Sequence, residues 1–372
     1  MIEKLRIKNF KSHKDTSIAL GHLTVLCGQN GVGKSSLIQA LLLLRQTNLK
    51  NKLNEILDLN SPLCFIGKTK DALYLYVDKV RGDEISIILG DNDQEYSWAF
   101  DTSKDSSFLT RLNDINDSDG YNTLSLFTND FQYISAARSA DYENDDYEVQ
   151  IQRQLSIKKG KGELTAQYLY TFGKVTKVND NLLHPSEPDT YLLSQTTAWE
   201  REISKGVNIK PKDVGGGYEI KYSFINSNFG ETEEFSSENV GFGLSYSLPI
   251  IVAILSATPG SLLLIENPEA HLHPYGQSKL AELMCLAGQA GVQIIVETHS
   301  DHIINGILVQ CKKYEKSQFG IDKKNLKIYS FDRDETEHAT VSTEVIVDAG
   351  GKLQNRPSSF FDQIGKDIRA LI

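Results

Sequence analysis

Three short stretches carry residue types at spacings suited to handling phosphate. GQNGVGKS, residues 28–35, satisfies G-x-x-x-x-G-K-[ST]. Its glycines, Gly28, Gly31 and Gly33, let the backbone curl so that amides and the positive end of a following helix surround an anion. Lys34 is placed to bridge two phosphates and the Ser35 hydroxyl to bind Mg²⁺, with Asn30, Val32 and Ser36 completing the cradle. LLLIENPEAHLHP, residues 262–274, reads as a buried strand whose last residue, Glu266, brings a carboxylate to the metal. Asn267 follows it. An amide can orient a water but cannot take its proton, so Glu269, with His271 and His273 beyond it, is a candidate substitute base, and Glu269 is the first to test. His271 and His273 read as loop-capping residues, because H-x-H alone does not make a metal site. VQIIVETHS sets His299 just past another apolar run, where an imidazole can donate to a γ-phosphate oxygen.

These residues need strands to deliver them and a helix to close on the anion. KLRIKNF and LTVLCG read as strands, and KSSLIQALLLLRQ as the helix after the phosphate loop. ALYLYVD, EISIIL and EYSWAF predict an antiparallel meander, and residues 103–120 a polar loop. The composition then changes: residues 140–238 hold the acidic run YENDDYE, the basic run KKGKG and a GGG turn. They are expected to form an inserted lid with helices at TAQYLYTF and DTYLLSQTTAWEREI and a strand at YEIKYSFI. From residue 239 strands and helices alternate, predicting a mostly parallel sheet with functional groups at its C-terminal edge. The expected organisation is an N-terminal lobe over 1–139, the lid over 140–238 and a C-terminal lobe over 239–372.

With 372 residues the chain can bury a large core. No segment resembles a signal peptide or a membrane span, so a soluble cytoplasmic protein is expected. Its four cysteines are scattered without ligand spacing, as expected of free thiols. A net charge of -10 argues against coating nucleic acid by bulk charge, though it leaves room for a local basic groove. Lys158, Lys159 and Lys161 in KKGKG are the residues to test for that, against the plainer reading of a solvated loop.

LRIKNFKSHKDTSIALGHLTVLCGQNGVGKSSLIQAL resembles the start of RecF- and SMC-type ABC-class ATPases of DNA repair and anti-phage defence. IENPEAHLHP is similar to their Walker B strand and D-loop, ETHS to their His switch, and DAGGKLQNRPSSFFDQ to the C-terminal element of one branch. The resemblance implies an α/β fold: an ABC-type P-loop NTPase head with an antiparallel β meander and a mostly parallel core sheet flanked by helices. It implies ATP and Mg²⁺ as cofactors, and a head-to-head homodimer in which each ATP lies between one chain's P-loop and the partner's signature segment. SENVGFGLSYSLP stands where that segment falls, offering Asn239, Gly241, Gly243 and Ser245, but it departs from LSGGQ. QYISAAR implies Gln132 as a Q-loop residue and Arg138 as a nucleotide or dimer contact. There is no long coiled coil and no nuclease cluster after the His switch, so a separate effector such as a nuclease is the implied partner.

Three functions follow from these residues. The first is an ATPase switch that dimerises on ATP and regulates an effector. The second is a nucleotide-sensing scaffold with slow or no hydrolysis, which Asn267 favours. The third is a transporter motor, against which the N-F-K-S opening and the missing LSGGQ weigh.

Overall fold

Apolar runs without polar alternation form strands buried on both faces, and LTVLC, LLLIE and QIIVET do so at the centre of this fold. The computed structural model describes all residues except 78–83, 92–93, 113–119, 356, 358–366, 368 and 372. In chain order, β1 (Lys4–Phe10) and β2 (His13–Ala19) pair antiparallel, β3 (Leu23–Gly28) enters the phosphate loop and α1 (Lys34–Leu49) leaves it. Next come β4 (Ile56–Asp58), the single turn α2 (Thr69–Ala72), β5 (Ile85–Asp91), β6 (Gln94–Asp101), β7 (Phe108–Arg111) and β8 (Phe131–Ile134). The middle of the chain supplies α3 (Thr165–Phe172), α4 (Leu192–Ile203), β9 (Val207–Asp213), β10 (Tyr218–Asn226), β11 (Gly230–Glu231) and β12 (Phe235–Ser236). The last part supplies α5 (Phe242–Ser256), β13 (Leu262–Glu266), α6 (Pro274–Gln289), β14 (Gln293–Thr298), α7 (Asp301–Ser317), β15 (Leu326–Arg333) and β16 (Thr340–Glu344), followed by the short pair β17 (Val347–Asp348) and β18 (Lys352–Leu353).

The core sheet has the order β16-β15-β3-β14-β13-β8, with β15 to β8 parallel and β16 antiparallel at one edge. The period-2 alternation of strand side chains divides its residues between two cores. Leu263, Ile265, Ile294 and Val296 face α5, α6 and α7. Leu262, Leu264 and Ile295 face α1 and the antiparallel sheet β2-β1-β5-β6-β7-β4. Truncating one such leucine to alanine is expected to cost about 2–5 kcal/mol. The sheet is therefore held from both sides, and its C-terminal edge is a stiff platform.

Several elements differ from the sequence reading. The described part of ALYLYVD, residues 72–77, is not a strand: the Asp71 carboxylate accepts from the Lys68 amide and nucleates α2, after which Leu73 forms an isolated bridge to Phe10, and Asp78 lies outside the described residues. Leu75 and Tyr76 are left exposed. The polar stretch from residue 103 contains β7, paired with β4 and β6, while residues 113–119 lie outside the described residues. Helices and a strand do form at TAQYLYTF, LLSQTTAWEREI and YEIKYSFI. The additional strand β9 tolerates Pro211 because it pairs on one side only, with β10. Leu164, Trp199 and Ile220 of the 140–238 segment share a core with Leu244 and Leu248 of α5, so the segment supports that helix directly. Most of the FFDQ-type ending falls outside the described residues.

Candidate functional site

The phosphate loop is wedged between strands. Gly28 has φ 141°, and a Cβ there would lie 2.3 Å from the Phe331 carbonyl oxygen on β15. Gly33 has φ 104°, and a Cβ there would lie 2.3 Å from Thr340 Oγ1 on β16. Both close approaches exclude any larger residue. Gly33 also caps α1 without a side chain, so no side chain competes with an anion for the helix's first amides. Beneath the loop, buried His13 bonds Gly33 O through Nε2 and Thr16 through Nδ1, and desolvation pushes its pKa down to about 4.

Lys34 is 3 % exposed and donates to the carbonyls of Gly28 at 3.0 Å and Gln29 at 2.6 Å. Burial lowers its pKa, while Glu297, 4.0 Å away, acts the other way. The Ser35 hydroxyl donates to Glu297 Oε1 at 2.9 Å. Its carboxylate partner is thus Glu297 rather than the expected Glu266. The two acids sit side by side: β13 and β14 are parallel neighbours in a register that pairs Glu266 with Glu297. Glu266 accepts from the Tyr133 hydroxyl at 3.2 Å and the Ala136 amide at 3.3 Å. Desolvation raises both carboxyl pKa values. Sequence reading had missed Glu297, whose only signal is that VQIIVE ends in an acid just as LLLIE does.

Behind them, Glu269 is fully engaged. One carboxylate oxygen accepts from the Thr298 hydroxyl at 2.8 Å and the other from the His299 amide at 2.7 Å. It does not line the cavity in front of the loop, so its expected place beside an attacking water is not where the structure puts it. It positions the His299 backbone instead. The His299 ring bonds Gly28 O through Nδ1 at 2.9 Å, which requires a proton on that nitrogen. Nε2 then donates to a phosphate only when the ring is an imidazolium. Asn267 adopts φ 43° and its backbone N–H donates to Glu297 O at 2.8 Å, tying the two strand ends together.

Asn30, Gly31, Gly33, Lys34, Ser35, Ser36, Glu266, Asn267, Glu297 and His299 surround a cavity of about 550 Å³, which Lys11, Ser12, Gln39, Asp71 and Ala136 complete. That volume suits a mononucleotide. Val32 is buried behind the loop, its carbonyl accepting from Thr340. Among the described residues no group of three His, Cys, Asp or Glu could hold a metal unaided.

Residues 23–305 match the family described as "AAA domain, putative AbiEii toxin, Type IV TA system". The chain belongs to this AAA domain family. Residues 321–371 match a second family, described as a protein of unknown function, DUF3696. The AAA chain is 24% identical over 334 residues to the OLD nuclease of Thermus scotoductus, covering 81% of this chain and 59% of that protein. It thus spans little more than half the length of this curated relative. Its fold is similar to the SMC head bound to the C-winged helix domain of ScpA, with TM-score 0.51, 16% identity and 93% and 98% of the two chains covered. It is also similar to the Pyrococcus furiosus SMC head with an extended coiled coil, with TM-score 0.51, 13% identity and 100% and 99% covered. The fold is that of an ABC-type P-loop NTPase head, RecF/SMC-like. Among the described residues of this AAA chain, no helix is long and apolar enough to cross a membrane.

Other expected site residues of the AAA domain lie elsewhere. Gln132 is turned away from the phosphate loop: it donates to Arg153 O at 2.6 Å and accepts from the Leu155 amide at 3.1 Å, lining a separate cavity. Strand alternation sends its side chain to the wrong face for a Q-loop role. Arg138 is 2 % exposed and clamps the carbonyls of Ser135, Glu266 and Asn267, which leaves no surface for a partner. Burial lowers its pKa to about 10. Asn239, Gly241, Gly243 and Ser245 cluster at the start of α5, outside this chain's cavity. Asn239 bonds Ser236, and buried Ser245 bonds Phe242 O. A Cβ on Gly243 would lie 3.1 Å from His271 O, so its glycine fits α5 against the loop after β13. His271 packs on Phe242 and Tyr246, and His273 caps α6, as loop-capping residues should. The four cysteines are buried and free. Lys158 pairs with Glu143, while Lys159 and Lys161 are exposed.

Proposed function

We propose that this AAA-family chain is an ATP-driven switch. It binds ATP with Mg²⁺ in the cavity before the P-loop, closes head to head with a second copy, and through that closure regulates a separate effector such as a nuclease. The observation that carries the reading is the convergence of Lys34, Ser35, Glu266, Glu297 and His299 on one cavity from three adjacent strands. Mg²⁺ fits the residues present: Glu297 Oε2 is a buried acceptor without a partner, next to the Ser35 hydroxyl. When bound, the cation would neutralise phosphate charge. Lys34 would hold the phosphates, Ser35 and the two acids would seat the cation, Glu269 would fix His299, and His299 would face the γ-phosphate. The α5 start, with Gly241 and Phe242, would cap the ATP of the partner copy. The relative's nuclease name and the family's toxin–antitoxin description support work alongside such an effector in defence or repair.

Calorimetric ATP binding with Mg²⁺ tests this directly. Wild type should bind and Lys34→Ala should not; equal binding by both would defeat the P-loop reading. A second reading, a scaffold that stays closed on ATP with little hydrolysis, is favoured by Asn267 together with the engagement of both Glu269 oxygens. Single-turnover hydrolysis separates the two: phosphate release within minutes supports the ATPase, and intact ATP after hours supports the scaffold.

A further inference from the structure

A second cavity, of about 370 Å³, lies between α1, β8 and residues 147–157, and none of its lining residues lines the cavity before the P-loop. Its wall holds Arg45 and Leu49 of α1, Phe131 and Tyr133 of β8, and Tyr147 and Glu148 beyond them. The two-residue period of β8 sets Phe131 and Tyr133 on one face, in the core that α1 covers. Arg45 is only 4 % exposed. Its Nη1 donates to the carbonyls of Leu126 at 3.0 Å and Thr128 at 2.7 Å, and its guanidinium carbon lies 5.0 Å from the centre of the Phe131 ring. Among the described residues no carboxylate pairs with it, and no acceptor takes its Nε or Nη2. Neither nitrogen is among the unpartnered polar atoms sealed from solvent, so both keep an opening, and the cavity that Arg45 lines provides it. Burial pushes the Arg45 pKa down to about 10, which still leaves the group charged at neutral pH. A cation this deep ordinarily has an anionic partner, and Glu148 acts on it only from a distance.

A concave, largely apolar pocket with one convergent charge is the usual form of a small-molecule site, and the volume falls in that range. Lys50, also on the wall, is already paired with Asp58. Glu148 opposes a second negative charge, so the cavity suits a carboxylate on an apolar body rather than a phosphate dianion. We propose that it is a regulatory site for a small aromatic carboxylate: Arg45 takes the carboxylate, Phe131 and Tyr133 take the apolar body, and Tyr133 carries occupancy to the nucleotide site. The Tyr133 hydroxyl donates to Glu266 Oε1 at 3.2 Å. Gly160 packs so closely on the same ring that a Cβ there would lie 2.7 Å away. The ring therefore has little room to yield to a ligand without moving its hydroxyl on Glu266. The coupling to ATP rests on the nucleotide reading above; the cavity itself does not.

Ligand-observed NMR titration of the full chain with cinnamate tests this, with cinnamyl alcohol as the uncharged analogue and acetate as the anion without a body. Cinnamate should bind wild type about 10-fold more tightly than either control, and Arg45→Gln should lose about that factor. Leu49→Glu, which adds a carboxylate at an exposed position on the wall, should weaken cinnamate by about 5-fold without disturbing the core. Lys34→Ala should bind it as wild type does. The anion site would be overturned by equal binding of cinnamate and cinnamyl alcohol, by no cinnamate binding to wild type, by unchanged binding in both cavity variants, or by a loss confined to Lys34→Ala. For the coupling, ATP with Mg²⁺ should change the cinnamate affinity of wild type by about 5-fold, and that of Tyr133→Phe by less than about 2-fold. ATP that binds by calorimetry without moving wild-type cinnamate affinity would overturn the regulatory role, and full coupling in Tyr133→Phe would remove Tyr133 from the relay. ATP that does not bind at all would refute the nucleotide reading and the regulatory role with it, while the cinnamate titrations still decide the cavity.

Discussion

The P-loop end and the α5 end of the head are finished to different degrees. At the P-loop, Lys34, Ser35, His13 and His299 already hold defined partners, and most of their atoms are out of water. At the α5 start, Phe242 is 68 % exposed, a Cβ on Gly241 would meet nothing within 4 Å, and no side chain caps the helix. Pre-organisation costs little at binding because the groups are already ordered. The α5 start instead leaves an exposed aromatic at a helix end without a side-chain cap, which is what the proposed closure with a second copy would cover. The contrast teaches that one chain holds a complete phosphate cradle and only half of the proposed closed site.

Four variants break or sharpen that contrast. The largest effect belongs to Lys34→Ala, which should weaken ATP by about 100-fold or more, roughly 3 kcal/mol, in a calorimetric titration. Next is acid sensitivity of the finished end. His13 has a folded pKa of about 4 against an ordinary 6.5, so the unfolded chain takes up its proton first. Its contribution is complete above pH 6.5 and lost as pH falls toward 4, by up to about 3 kcal/mol. Urea unfolding should therefore give wild type a steeper decline in stability over that window than His13→Gln. If the slopes coincide, the buried histidine is not the sensor.

The two remaining variants address the open end. Gly243→Val should press on His271 O and weaken ATP-dependent association by about 10-fold, while ATP binding to the monomer stays within about 2-fold. Parallel loss of both would mean that the α5 start is part of the chain's own cradle. Phe242→Ala should cost association a smaller factor, about 3- to 5-fold, because it removes exposed contact area without distorting the helix. Sedimentation across an ATP series reads both.

Much of this was legible in the sequence. G-x-x-x-x-G-K-S between an apolar strand and a helix, and the unbroken apolar runs LLLI and QIIV, state their structure locally. Glu297 was missed because its significance is not local: only the placement of β14 between β3 and β13 brings it to Ser35. Glu269 misled for the same reason, since proximity in sequence to Glu266 says nothing of Thr298 and the His299 amide, which hold it. Gln132 and Arg138 were read by position, but strand alternation and burial turned both to structural tasks. ALYLYVD had the composition of a strand, and the Asp71 cap overrode it.

The central claim is that ATP closes two of these heads on each other. Sedimentation velocity of wild type and Lys34→Ala with ATP and Mg²⁺ tests it most directly. The account predicts a dimer for wild type that Lys34→Ala abolishes. A wild-type chain that binds ATP by calorimetry yet sediments as a monomer at every ATP concentration would contradict it.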